Sequence, residues 1–178
     1  MSSAALPPGE DITRSELRAG NLGVKVSRLQ SDVEAAQRLR YEIFFEEMGG
    51  KAQNPEVIKQ RRDFDTFDEH CDHLLVIDHD VGGAGGKVVG TYRLLRRTAM
   101  QKLGCFYSES EFSIEKLKHD SGEVMELGRS CVHIDYRNRA VMQLLWRGIG
   151  EYVAKYQVEY MFGCASFKGT DPTAHALA

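Results

Sequence analysis

The sequence lacks any cysteine pair spaced to clamp a metal. Its four cysteines, Cys71, Cys105, Cys131 and Cys164, are scattered and form no CxxC. The N-terminus lacks the basic-then-apolar pattern of a secretory leader, so the thiols are expected to be reduced in a cytoplasmic protein. Apolar stretches such as Val141–Trp146 are far too short to span a bilayer, which leaves peripheral contact at the inner membrane face as the one membrane role to expect. A basic excess is also missing. The net charge is −3, so a nucleic-acid partner is not expected. No internal repeat is visible. What is present suits one soluble globular domain, with 178 residues, 42% hydrophobic and 28% charged. Charge is uneven along it. Asp63, Asp65, Asp68, Glu69 and Asp72 cluster, and Arg93, Arg96, Arg97, Arg129, Arg137, Arg139 and Arg147 follow. Such separation suits a cationic substrate at one region and an acidic partner at the other.

Residues 1–20, with Pro7-Pro8-Gly9, read as a loosely docked arm, and residues 21–178 as the domain proper. Alternation from Leu22 to Val26 predicts a first strand over 22–29. Ser31-Asp32 can cap a helix that runs to about Met48 and stops at Gly49-Gly50. Its Val33, Ala36, Leu39, Ile43 and Phe44 fall on one face. His73–Ile77 and Lys87–Leu95 flank a glycine run and predict an antiparallel hairpin. No helix pattern follows that run, so it reads as a turn and not a phosphate cradle. An irregular section precedes a strand over Val124–Ile134, an amphipathic helix over 139–156 and a strand over Val158–Ala165. The order predicts an α/β fold with a mixed central sheet.

Four segments carry candidate chemistry: Leu39–Phe44 (LRYEIF), Asp63–Leu75 (DFDTFDEHCDHLL), Val89–Leu94 (VGTYRL) and Glu126–Arg129 (ELGR). In this order they resemble the acyl-homoserine lactone synthases. They are more similar still to the ornithine-lipid N-acyltransferases, often labelled hemolysin-like, with which Leu127–Pro172 also agrees. The resemblance covers about residues 24–175. It implies an N-acetyltransferase-like (GNAT-like) fold, an acyl carrier protein thioester as donor and an amino acid amine as acceptor. The positions matching the synthase pattern are Arg40, Phe44, Asp65, Asp68, Arg93, Glu126 and Arg129. Of these, Glu126, Arg129 and Arg93 are the candidate catalytic residues, and Arg40, Phe44, Asp65 and Asp68 are candidates for binding substrate. A fold of this kind adds strands after 158–165, so the sequence reads as lacking the C-terminal strands.

Attack on a thioester needs a neutral amine, and a carboxylate in a cleft can take the proton. Glu126 is the candidate base, because alternation places it on one face with Gly128 and Ser130; the other reading is that it pairs with Arg93 or Arg129. Asp65 and Asp68, with Asp63, could steer a cationic acceptor or anchor their loop through arginines. The spacing does not fit a calcium loop. His70-Cys71-Asp72-His73 would be split across strand faces, and no metal is expected. Cys131 has no evident base partner and reads as structural. In the implied fold a backbone N–H within Ser130, Cys131 and Val132 meets the developing oxyanion.

Acetyltransferases of this fold hold coenzyme A pyrophosphate with a glycine-bearing loop at a helix N-terminus. Here Arg137 fits that pattern, whereas Ala140 and Met142 depart from it. The departure favours a single phosphate, that of phosphopantetheine, with Arg137, Arg139 and Arg147 facing an acidic carrier or serving as ordinary surface residues. No permanently bound cofactor is expected; the acyl-phosphopantetheine thioester arrives as substrate. The combined expectation is transfer of a (3-hydroxy)fatty acyl group to the α-amine of ornithine, in ornithine lipid biosynthesis. The alternatives are lactone synthesis, against which the absence of tryptophan after Phe44 counts, and a non-catalytic acyl-binding module. An uncovered edge strand invites pairing into a homodimer.

Overall fold

The computed structural model describes residues 12–27, 29–119 and 122–165. They form a six-stranded sheet in sequential order: β1 (Leu17–Ala19), β2 (Leu22–Ser27), β3 (Asp72–Asp78), β4 (Lys87–Arg96), β5 (Glu123–Val132) and β6 (Val158–Phe162). Neighbours are antiparallel except β5 and β6, which are parallel and joined by the helix α5 (Arg139–Tyr156). The mixed sheet matches the expected fold class.

Period-two patterning explains why helices cover both faces. On β3, Leu74 and Val76 join the core beneath α5, with Val24, Leu145 and Ile149. Leu75 and Ile77 point the other way and pack on Ala36 of α1 (Gln30–Tyr41). Gly148 brings α5 close to the sheet, since a Cβ there would lie 2.8 Å from Leu74 Cδ1. The β3–β4 turn uses Gly82 and Gly86 at φ +84° and +74°, conformations that suit glycine.

Four local features depart from expectation. The arm enters the fold earlier than predicted: Ile12 is 1% exposed in the core, and Leu17–Ala19 pairs with β2, while residues 1–11 lie outside those described. Ser31 and Asp32 do not cap α1. The helix starts after Leu29 without a side-chain cap, and Asp32 instead reaches Lys25 at 2.7 Å. Beyond Tyr41 the helix widens into a π-helix over Glu42–Glu47, with Met48 N–H donating to the Ile43 carbonyl. The section read as irregular contains α3 (Arg97–Leu103), a 3₁₀ turn (Tyr107–Ser110) and α4 (Glu115–His119), following the short α2 (Pro55–Gln60). Met100 and Phe106 from this section pack on Leu95 and Val124.

The β-sheet opens where the site lies. Between β4 and β5 the pairing jumps from Thr91–Cys131 to Arg93–Gly128, so β5 carries one extra residue there. Arg129 sits in this bulge at φ +50°, a left-handed conformation that costs about 1–2 kcal/mol in a non-glycine residue. Pairing between β5 and β6 ends at Glu126–Phe162. Residues 127–132 then line a cleft opposite residues 161–165.

Candidate active site

The deepest part of the site is an ion network. Arg40, 1% exposed on α1, donates from Nε to Asp63 Oδ2 (2.9 Å), from Nη1 to Asp68 Oδ1 (3.0 Å) and from Nη2 to Asp68 Oδ2 (2.9 Å). Nη2 also donates to the Asp63 carbonyl. Arg93 on β4 donates from Nη1 to Asp65 Oδ1 (2.6 Å) and Asp68 Oδ1 (3.1 Å). Arg129 approaches Asp63 Oδ2 from Nε at 3.2 Å and Asp65 Oδ2 from Nη2 at 3.6 Å. Its Nε is nonetheless buried without a hydrogen bond. Arg93 and Arg129 also lie over the rings of Phe67 and Tyr107. Three arginines from three elements thus meet three aspartates of one loop. Burial opposes the charge of Asp68, but Arg40 and Arg93 outweigh it and hold this carboxyl well below the usual carboxylate range. Burial likewise opposes the Arg40 charge, and Asp68 and Asp63 more than compensate, raising its pKa. The loop is anchored through arginines, so its aspartates are not a bare lure for a cation.

Glu126 faces a small polar chamber of about 100 Å³, beside Arg93, Arg129, Tyr107 and Glu111. It pairs with neither arginine. Its Oε2 accepts from Tyr107 N–H (2.8 Å), and Oε1 accepts from Ser108 N–H (2.7 Å) and Ser108 Oγ (2.5 Å). A carboxylate has about four lone-pair sites, so three bonds leave one for a molecule in the chamber. Alternation breaks at Arg129, leaving Glu126 buried and Ser130 exposed rather than side by side. Cys164 lines the same chamber and donates from Sγ to Ser108 Oγ at 3.3 Å.

The chamber adjoins a larger cleft of about 870 Å³ through four shared residues, Leu127, Gly128, Arg129 and Cys164. This cleft is more apolar than polar, with Lys51, Asp63, Ser130 and Arg137 also in its lining. Phe44 and Met48 enter from the π-helical segment and its end, Trp146 from α5, and Met161 and Phe162 from β6, with Ser130, Cys131 and Val132 along β5. A widened helix turn at a cavity is a recurrent device for redirecting side chains. Burial pushes the Cys131 thiol up to about 12, so it is no nucleophile near neutral pH. His73 is buried with Nε2 3.1 Å from the Asp68 carbonyl, and burial lowers its pKa, keeping it neutral.

The arginines assigned to the donor do not act together. Arg137 lines the cleft, but Nη1 and Nη2 grip Glu47 (2.7 and 2.5 Å) and Nε donates to the Val132 carbonyl. At the start of α5, Asn138 Oδ1 accepts from the N–H groups of Ala140 (3.0 Å) and Val141 (3.2 Å). Amides that would cradle a phosphate are therefore already capped, as glycine loss alone did not reveal. Arg139 and Arg147 lie exposed on α5 outside the cleft, with no ion-pair partner among the described residues. Sequence reasoning missed Tyr107, Ser108, Glu111 and the cap by Asn138. Only the cap had a readable signal, an Asn directly before an amphipathic helix.

With this geometry in place, comparison with known proteins gives concordant results. Residues 39–147 match the acetyltransferase (GNAT) domain family. The chain is 45% identical, over its full length, to an L-ornithine N(alpha)-acyltransferase of Rhizobium meliloti (strain 1021), covering 60% of that protein. It is 48% identical, over 90% of its length, to a protein of the same description from Agrobacterium fabrum, covering 56% of it. The chain thus spans somewhat over half the length of these curated relatives. Among solved structures it resembles BjaI, a CoA-dependent acyl-homoserine lactone synthase, with a TM-score of 0.55 and 24% identity, covering 76% of this chain and 60% of that one.

Proposed function

The chain belongs to the acetyltransferase (GNAT) domain family, and on that premise we propose that it transfers a (3-hydroxy)fatty acyl group from a carrier-protein thioester to the α-amine of ornithine. The observation that carries this reading is a pair of cavities, one more polar and one more apolar, that share one wall of β5. The apolar cleft suits an acyl chain, and the polar chamber with Glu126 suits a small amine. A thioester carbonyl lying along Gly128–Val132 would stand where the two spaces join. The similarity to relatives described as L-ornithine N(alpha)-acyltransferases supports the choice of acceptor.

In this reading the amine nitrogen attacks the thioester carbonyl, and backbone N–H groups of the bulged stretch meet the oxyanion. The amine proton passes to the open lone pair of Glu126, directly or through one water. The carbon–sulfur bond then breaks. The departing phosphopantetheine sulfur takes up the proton held by Glu126, directly or through the same water, which returns Glu126 to its carboxylate form. No protein nucleophile is needed, in keeping with the raised pKa of Cys131. The capped start of α5 offers its first amides to neither a pyrophosphate nor a phosphopantetheine phosphate. The choice of a carrier donor therefore rests on exposed Arg139 and Arg147, which have no ion-pair partner among the described residues and suit an acidic surface.

Mass spectrometry of products from acyl carrier thioesters and acyl-coenzyme A, each with a panel of amines, tests the proposal. N-acylornithine formed preferentially from the carrier donor is expected. A homoserine lactone product, or no product from any donor with any amine, would overturn it.

A further inference from the structure

We propose that Glu111 reads the side-chain ammonium of the acceptor and so selects a diamino acid over a neutral one; this rests on the reading that an amino acid amine is acylated beside Glu126. Charged groups around the chamber are nearly all committed. Arg93 is held by Asp65 and Asp68, and Glu126 by Tyr107 and Ser108. Glu111 differs: it lines the chamber, it is exposed, and its carboxylate has no hydrogen bond or ion pair among the described residues.

Its placement is fixed by the segment that clamps Glu126. The 3₁₀ turn Tyr107–Ser110 delivers both N–H groups to Glu126, and the Glu111 N–H closes the turn on the Ser108 carbonyl at 3.1 Å. One short rigid element therefore sets the base and a second, open carboxylate on the same small cavity. Arg129 also lines the chamber and, although its guanidinium lies 3.2 Å from Asp63 and 3.6 Å from Asp65, it keeps a cation on that wall. An amino acid with its α-amine at Glu126 and its α-carboxylate toward Arg129 presents a distal ammonium to Glu111. A neutral side chain would leave that carboxylate unanswered.

Competition between ornithine and norvaline, which has the same carbon chain without the distal amine, reads this selection directly. Glu111→Gln should lower the ratio of kcat/KM for ornithine to that for norvaline by about 2- to 5-fold, the size expected of one exposed ion pair. Glu111→Lys should shift preference further, toward glutamate. An unchanged ratio, or equal losses on both acceptors, would overturn the assignment. A thermal shift by ornithine alone separates this idea from the transfer reading. If the wild-type chain makes no N-acylornithine, the functional reading fails. Stabilisation by ornithine that Glu111→Gln abolishes would still uphold the subsite, and its absence from the wild type would overturn that too.

Discussion

The chamber and the cleft share Leu127, Gly128 and Arg129 of one wall, with Cys164 across from them, and are otherwise built in different ways. Around the chamber, polar groups other than Glu111 are locked: Arg93 and Asp68 are buried and mutually bonded, and Glu126 accepts three hydrogen bonds. Around the cleft, Met48, Trp146 and Met161 are 68%, 50% and 44% exposed. Flexible methionine and broad aromatic surface adapt to a long chain, whereas proton transfer needs fixed geometry. The difference teaches that one wall can serve positioning on one side and loose accommodation on the other.

The sharpest way to break this contrast is at the locked side. Glu126→Gln keeps shape but cannot take a proton, so the rate of transfer should fall about 10²–10⁴-fold while binding of the acyl donor persists. Steady-state kinetics alongside donor binding by fluorescence would check both halves. A near-normal rate would make Glu126 a structural partner of the 107–108 turn. Loss of donor binding as well would show that the two cavities are not independent.

Much of the fold was legible. Helix α5 occupies the predicted 139–156, because its apolar stripe persists over five turns, and the glycine run marks the β3–β4 turn. The arginines and aspartates of the network were legible as residues but not as partners, since Arg40 meets Asp68 across 28 residues of chain. Whether the loop lured a cation or was anchored depended on that pairing. The clamp on Glu126 left no trace, because a single 3₁₀ turn has no period to detect. The bulge at Arg129 was hidden for a related reason: an extra residue in a strand reverses alternation without changing composition.

The network behind the chamber gives the next largest effect. Arg40→Ala would strand Asp63 and Asp68 in a buried site, and should cost about 3–5 kcal/mol in urea unfolding. The same network makes stability fall in acid. The carboxyl of Asp68 titrates lower in the folded chain than the ordinary value of about 4, so the unfolded chain binds its proton first as pH drops. Its contribution is full above about pH 4 and is lost progressively below. Urea midpoints measured from pH 6 downward should decline below pH 4, and Asp68→Asn should flatten that decline. If the midpoints of both proteins fall in parallel, the acid sensitivity lies elsewhere, and the chamber is less rigidly built than its contacts indicate.

The smallest effect expected is on the cleft's outer flank, and it tests whether loose accommodation extends to the donor's carrier. Arg139 and Arg147 are exposed on α5 and free of ion pairs among the described residues, while Arg137 is spent on Glu47. Their attraction for an acidic carrier is therefore a surface effect, screened over about 10 Å at 0.1 M salt. Changing both to Glu should slow transfer from acyl carrier protein roughly 3- to 10-fold at low salt, because exposed pairs contribute about 0.2–1 kcal/mol each. The difference should shrink as salt rises. Transfer from a short pantetheine thioester, which presents no acidic surface, should change little. Stopped-flow or steady-state rates with both donors across a salt series separate docking from chemistry. Equal losses with the two donors would place Arg139 and Arg147 in support of the cleft itself. Faster transfer from acyl-coenzyme A than from the carrier would show that the Asn138 cap yields to a pyrophosphate, and would remove the basis for assigning the donor.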